Sequence, residues 1–160
     1  MNTQHMTAKD YAKAVGIGIA TGVILSVVAI VGLKTGISPL PKPLALAFAQ
    51  RLLGDVPLPV GLLFHVAYVT FWTVVFVTMF KSHTFAKALA LALALWVAVL
   101  VVFFPFVGWD LLGLGVGPAL IPGSLAPHIL FAVLIWLFTR WLLPDRSGLA
   151  PRNAGHPVSG

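Results

Sequence analysis

Residues 88–107 read Ala-Leu-Ala-Leu-Ala-Leu-Ala-Leu-Trp-Val-Ala-Val-Leu-Val-Val-Phe-Phe-Pro-Phe-Val, without a single charge. The period-two alternation of 88–95 would ordinarily argue for a strand. The length argues otherwise, because about 20 apolar residues make a helix that crosses the roughly 30 Å hydrocarbon layer. A lone strand in lipid leaves its backbone N–H and C=O groups unsatisfied, whereas a helix bonds them internally. Ala and Leu are also the strongest helix formers. The stretch therefore predicts a membrane-spanning helix with small Ala positions open to close packing, and Pro105 lies near its end.

Three further stretches read the same way. Residues 14–33 carry no charge and are flanked by Lys13 and Lys34. They are too long for a signal-peptide apolar region and lack a clear small-residue cleavage site, so a retained span is expected. Residues 57–80 stop at Lys81, and residues 125–143 stop at Pro144-Asp145. Ser124 is expected to cap the fourth span, with Pro127 in its first turn, where a missing N–H is harmless. The fold class is all-α: a polytopic four-transmembrane-helix bundle, one domain over residues 1–143. Residues 144–160 are polar, with Gly and Pro, and read as a disordered tail.

The connections differ in character. Residues 42–53 are short, apolar and bounded by Lys42 and Arg51, which suits a helix lying in the membrane interface. Residues 108–123 are apolar but broken by five glycines and two prolines. Such a backbone is expected to fold back on the mouth of the bundle, since it cannot face hydrocarbon. Four spans put both termini on one side. That side holds Lys9, Lys13, Lys81, Lys87, Arg140, Arg146 and Arg152, against Lys34, Lys42 and Arg51 on the other. Seven cations against three predicts cytoplasmic termini and, for so small a chain, a bacterial inner membrane.

The composition removes whole classes of function. Hydrophobic residues make up 59% and charged residues 9% of 160 residues, which leaves no room for a soluble enzyme domain. The chain has no cysteine, so disulfides, thiolate metal sites and iron–sulfur clusters are excluded. No nucleotide-binding loop is present. The net charge of +6 sits at span ends and reports orientation, not nucleic-acid binding. All four acids, Asp10, Asp55, Asp110 and Asp145, lie outside the predicted spans. That disfavours an ion-coupled transporter, which keeps ionisable groups near the midplane.

Two features within the spans carry more specific expectations. Ala14, Gly18, Gly22 and Ser26 form a small-residue face at four-residue spacing, suited to close helix packing inside the bundle or against a second copy or partner. His65 and His128 both fall in the outer half, about 12 Å and about 5 Å from the starts of their predicted spans at 1.5 Å per residue. Asp110 lies in the loop on the same side. His65 shares a helix face with Tyr68 and Trp72, and these two with Trp109 are expected at the exterior mouth. Thr70, Thr73 and Thr78 are expected to bond their own backbone. The histidines are either structural or interfacial groups, or a site for a b-type haem, or for copper or zinc with Asp110 as a third ligand. The depth difference of about 7 Å is awkward for a flat porphyrin.

Pro105-Phe-Val-Gly-Trp-Asp-Leu-Leu-Gly-Leu-Gly115, then Pro127-His128, together with Pro59-Val-Gly-Leu-Leu-Phe-His65, resembles small bacterial four-helix inner-membrane proteins of the domain-of-unknown-function type. The resemblance spans about residues 14–143. It implies a bundle with two similarly placed histidines and an internal duplication, and it implies no reaction. The leading expectation is a non-enzymatic accessory or scaffold subunit, in contact with the lipid bilayer and with a homo-oligomer or membrane-complex partner. Its functional surface would lie on the periplasmic side. The alternative is a haem- or metal-holding protein using His65 and His128.

Overall fold

The computed structural model describes residues 7–80 and 82–143. The described residues are all-helical where regular: α1 is Ala8–Lys34, α2 Leu44–Leu53, α3 Leu58–Met79, α4 Phe85–Phe106 and α5 Leu120–Leu142. All but α2 are long and apolar enough to cross a membrane. The expected tail at 144–160 lies outside the described residues.

α1 begins six residues before the expected span because Thr7 and Asp10 form a reciprocal cap. The Thr7 hydroxyl accepts from the Asp10 N–H, and the Asp10 carboxylate accepts from the Thr7 N–H. Beyond that turn the helix presents two opposed stripes. Ala14, Gly18, Gly22 and Ser26 are buried, whereas Val15, Ile19, Val23, Val27 and Val31 are exposed. Such an apolar outer stripe is compatible with a helix that faces a bilayer.

The small stripe packs inside the chain, against α3. A Cβ on Gly18 would lie 2.6 Å from the Thr70 Cα, and one on Gly22 would lie 3.0 Å from the Val66 Cα. The pairing of rising α1 numbers with falling α3 numbers makes the two helices antiparallel. Thr73 and Thr78 bond the carbonyls of Val69 and Val75, as expected. Thr70 does not: its hydroxyl is buried without a partner, because its Cα, Cβ and methyl are what fill the Gly18 notch. Gly61 makes a similar notch for α2, where an added Cβ would meet the Leu46 Cα at 2.6 Å.

α4 keeps the alternating Ala-Leu run helical, and places Ala88 and Ala92 in the core against α5. Its regular hydrogen bonding widens into a π-helical turn over Val99–Phe103, closed by the Phe104 N–H on the Val99 carbonyl. Pro105 follows directly. Its ring lacks a donor and would crowd the carbonyl four residues back, and one widened turn relieves both problems.

α5 begins at Leu120, five residues before the expected start, and this corrects two expectations. Ser124 is not a cap but a buried residue of the second turn. Pro127 lies inside the helix, not in its first turn. The physical reason is Pro122. It stands at the third helical position, where the N–H has no intrahelical partner in any case, so it permits helix through a stretch that looks like loop.

The helices form two pairs, α1 with α3 and α4 with α5, and α1 also touches α5. Towards the end away from the 108–119 connection, Ile17, Phe76, Val77, Ala92 and Ile135 knit all four spans into one core. There Lys13 donates to the carbonyl of Leu142, capping the negative end of α5. At the opposite end, here called the loop end, Ala47, Leu100, Phe104, Trp109 and Leu120 form a second core.

Candidate functional site

Between the two pairs, towards the loop end, lies a cavity of about 760 Å³. All five helices contribute to its wall, together with the 37–43 segment. Its polar side chains are few. His65, Tyr68 and Trp72 come from α3, Ser124 and His128 from α5, and Ser38 from the connecting segment.

The local sequence explains how each reaches the cavity. On α3, Gly61 is taken up by contact with α2, so the same face one turn on is free to turn His65, Tyr68 and Trp72 inward. Tyr68 sits edge-on to Trp72 at 6.3 Å and to Phe103 at 5.7 Å between ring centroids. Phe103 belongs to the π-helical turn, and so does Val99, which also lines the cavity. The wide turn therefore shapes this wall. Phe48 of α2 closes the side with contacts to Phe64, Phe103 and Phe106 at 6.2, 5.5 and 5.1 Å. At the roof, Pro39 abuts Gly123 so closely that a Cβ there would lie 2.3 Å from the proline Cγ.

His128 is oriented by its own helix. Its Nδ1 lies 2.7 Å from the Ser124 carbonyl oxygen. A carbonyl only accepts, so Nδ1 carries the proton, and in the neutral ring Nε2 keeps its lone pair. Ser124 is itself held by the Trp96 indole N–H at 3.1 Å. His65 and His128 line the same cavity from α3 and α5.

Both histidines lie in the first half of their helices and line the same cavity. His65 is seven residues into α3 and His128 eight residues into α5, about 10 Å and about 12 Å along helices that both start at the loop end.

Asp110 does not join them. It is exposed, does not line the cavity, and its carboxylate lies against Gly115. Among the described residues no group of three or more His, Asp or Glu is placed to hold a metal ion. The three-ligand copper or zinc site of His65, His128 and Asp110 is therefore not assembled. Trp109 is also absent from the cavity wall. It is buried in the second core against Phe104, at 5.5 Å between ring centroids. Tyr68 and Trp72 are the two expected mouth aromatics that reach the cavity.

Sequence reasoning missed Phe48, Phe103 and Ser124. Phe103 had a signal, since a proline after a long helical run forces a local adjustment one turn earlier. Phe48 and Ser124 had none that a single sequence offers, because each depends on which helix lies opposite. A second depression, between α1 and α3 on the outer surface, carries only Ser26 as a polar side chain, and that hydroxyl is spent on the Gly22 carbonyl.

No protein-family model, curated protein or solved structure matches the chain.

Proposed function

We propose that this chain is a small subunit of a bacterial inner-membrane assembly that holds an apolar ligand in the cavity between its spans. The observation that carries the reading is the meeting of His65 and His128 on one apolar cavity. Ionisable groups within a span are costly and are retained where they meet a ligand, a partner or water. The cavity volume of about 760 Å³ falls in the range of small-molecule sites. The cation bias supports cytoplasmic termini, which makes the loop end periplasmic and α2 an interfacial helix. On this reading the protein is a binding subunit and not an enzyme.

The test is purification in mild detergent followed by native mass spectrometry and solvent extraction. The wild type should retain an apolar molecule, and Leu130→Trp, which fills the cavity, should lose it. A folded wild type that carries nothing across several detergents overturns the ligand reading. A strict monomer in several lipid-like environments overturns the subunit reading.

A further inference from the structure

Resting on the cavity reading above, we infer that the ligand is a b-type haem held by His65 and His128 as its two axial ligands. The count of ligands comes first. The described residues offer two imidazoles and no third His, Asp or Glu beside them. Zinc sites need three or four protein ligands, and a two-imidazole site leaves them incomplete. A porphyrin brings four nitrogens of its own, so its iron asks the protein for two.

Size points the same way. A bare ion would leave nearly all of the cavity's roughly 760 Å³ empty, whereas a macrocycle fills such a space. The wall suits a flat apolar ring, since it is lined almost wholly by apolar side chains and includes the mutually packed rings of Tyr68, Trp72 and Phe103. His65 and His128 come to the same cavity from two different helices, α3 and α5. His128 is already oriented as a ligand. Its Nδ1 proton is committed to the Ser124 carbonyl, which fixes the ring and leaves the Nε2 lone pair. Ligation by that lone pair displaces no proton. The same tautomer argues against a quinone carbonyl at this histidine, because a neutral Nε2 accepts and does not donate. Lys34 and Lys42 are exposed at the two ends of the roof segment, where propionates leaving the cavity would find cations.

The test uses the full chain in mild detergent, titrated with ferric haem and read by absorption before and after reduction. The wild type should bind one equivalent as a six-coordinate low-spin species whose Soret band shifts on reduction. His65→Ala and His128→Ala should each lose the low-spin bands, and added imidazole should restore them. His83→Ala, outside the cavity, should behave as the wild type. Should the alanine variants not fold, low-temperature paramagnetic resonance of the ferric wild type reads bis-imidazole ligation without any substitution. Haem bound with a spectrum indifferent to His65 and His128 overturns the inference, as does a non-imidazole resonance signal. A wild type that refuses haem but yields another apolar molecule, lost in Leu130→Trp, overturns the haem and leaves the cavity reading standing. A wild type that takes up neither overturns both.

Discussion

Trp96 donates its indole N–H to the Ser124 hydroxyl at 3.1 Å, and that hydroxyl donates in turn to the Ile121 carbonyl at 3.2 Å. The bond joins α4 to α5 within the loop-end half of the bundle. One turn further along α5, the carbonyl of the same serine holds His128. Ser124 therefore fastens the helix with its side chain and orients the imidazole with its backbone.

Those two roles separate under mutation. Ser124→Ala removes the bond to the hydroxyl, leaves the indole its second bond to the Ile121 carbonyl at 3.3 Å, and keeps the Ser124 carbonyl. The loss should be about 0.5–1.5 kcal/mol, as for interhelical hydrogen bonds in membranes. Trp96→Phe should cost more, since it also removes packing. Equilibrium unfolding in mixed micelles, run as a double-mutant cycle, should give a coupling near 1 kcal/mol between the two positions. Additive effects would mean that the bond contributes nothing.

The small-residue face of α1 makes an ordered prediction. An added methyl at Gly16 meets nothing within 4 Å, at Gly22 it meets the Val66 Cα at 3.0 Å, and at Gly18 the Thr70 Cα at 2.6 Å. In both close cases the obstacle is backbone, which cannot swing away. Gly16→Ala should be neutral or slightly stabilising, because alanine is the better helix former. Gly22→Ala should be destabilising, and Gly18→Ala more so, by about 1–3 kcal/mol as for overpacked cores. A flat series would show that α1 and α3 do not cross here. A change of oligomeric state without loss of monomer stability would move the face to an intermolecular seam.

The four spans were legible because length and apolarity alone identify them, and lipid leaves helix as the open choice. Their ends were less so. Ala8 to Lys13 entered α1 through a cap built from Thr7 and Asp10, a polar pair that hydropathy does not weigh. The first turns of α5 were hidden behind Pro122 and Gly123, residues that break helices in the middle and are tolerated at the start. The histidine pair was legible as two residues in one half of the bundle. Their common cavity was not, because it depends on which helices stand across from one another and on the π-helical turn before Pro105, and neither is a matter of residue type. Asp110 shows the converse error. Proximity along the chain to the loop end suggested a shared site, and the backbone turned it elsewhere.

Topology can be checked because the chain has no cysteine of its own. Leu114 is exposed in the loop-end connection, and Thr84 is exposed in the opposite turn and makes no side-chain cap bond. With cytoplasmic termini, Leu114→Cys should react with an impermeant maleimide in intact cells, and Thr84→Cys should react only after lysis. The reverse pattern would place the cavity's loop end in the cytoplasm, against the seven-to-three bias of cations.

Asp110 holds φ 62° and ψ 174°, a region that glycine enters and other residues seldom do. The strain is imposed by a tight fold of the 107–117 connection. The Gly113 N–H bonds the Asp110 carbonyl at 3.0 Å, and the Gly115 N–H bonds the Trp109 carbonyl at 3.2 Å. The aspartate side chain is exposed, so removing it uncovers no core. Asp110→Gly should relieve about 1–3 kcal/mol of strain and lose about 0.5–1 kcal/mol to the greater freedom of glycine in the unfolded chain. The expected net is stabilisation of about 1 kcal/mol by unfolding in mixed micelles. Ligand retention should be unchanged, since Asp110 does not line the cavity. A destabilised variant would mean that the carboxylate makes a contact stronger than the strain it bears. A stable variant that has lost its ligand would return Asp110 to the site from which its geometry removes it.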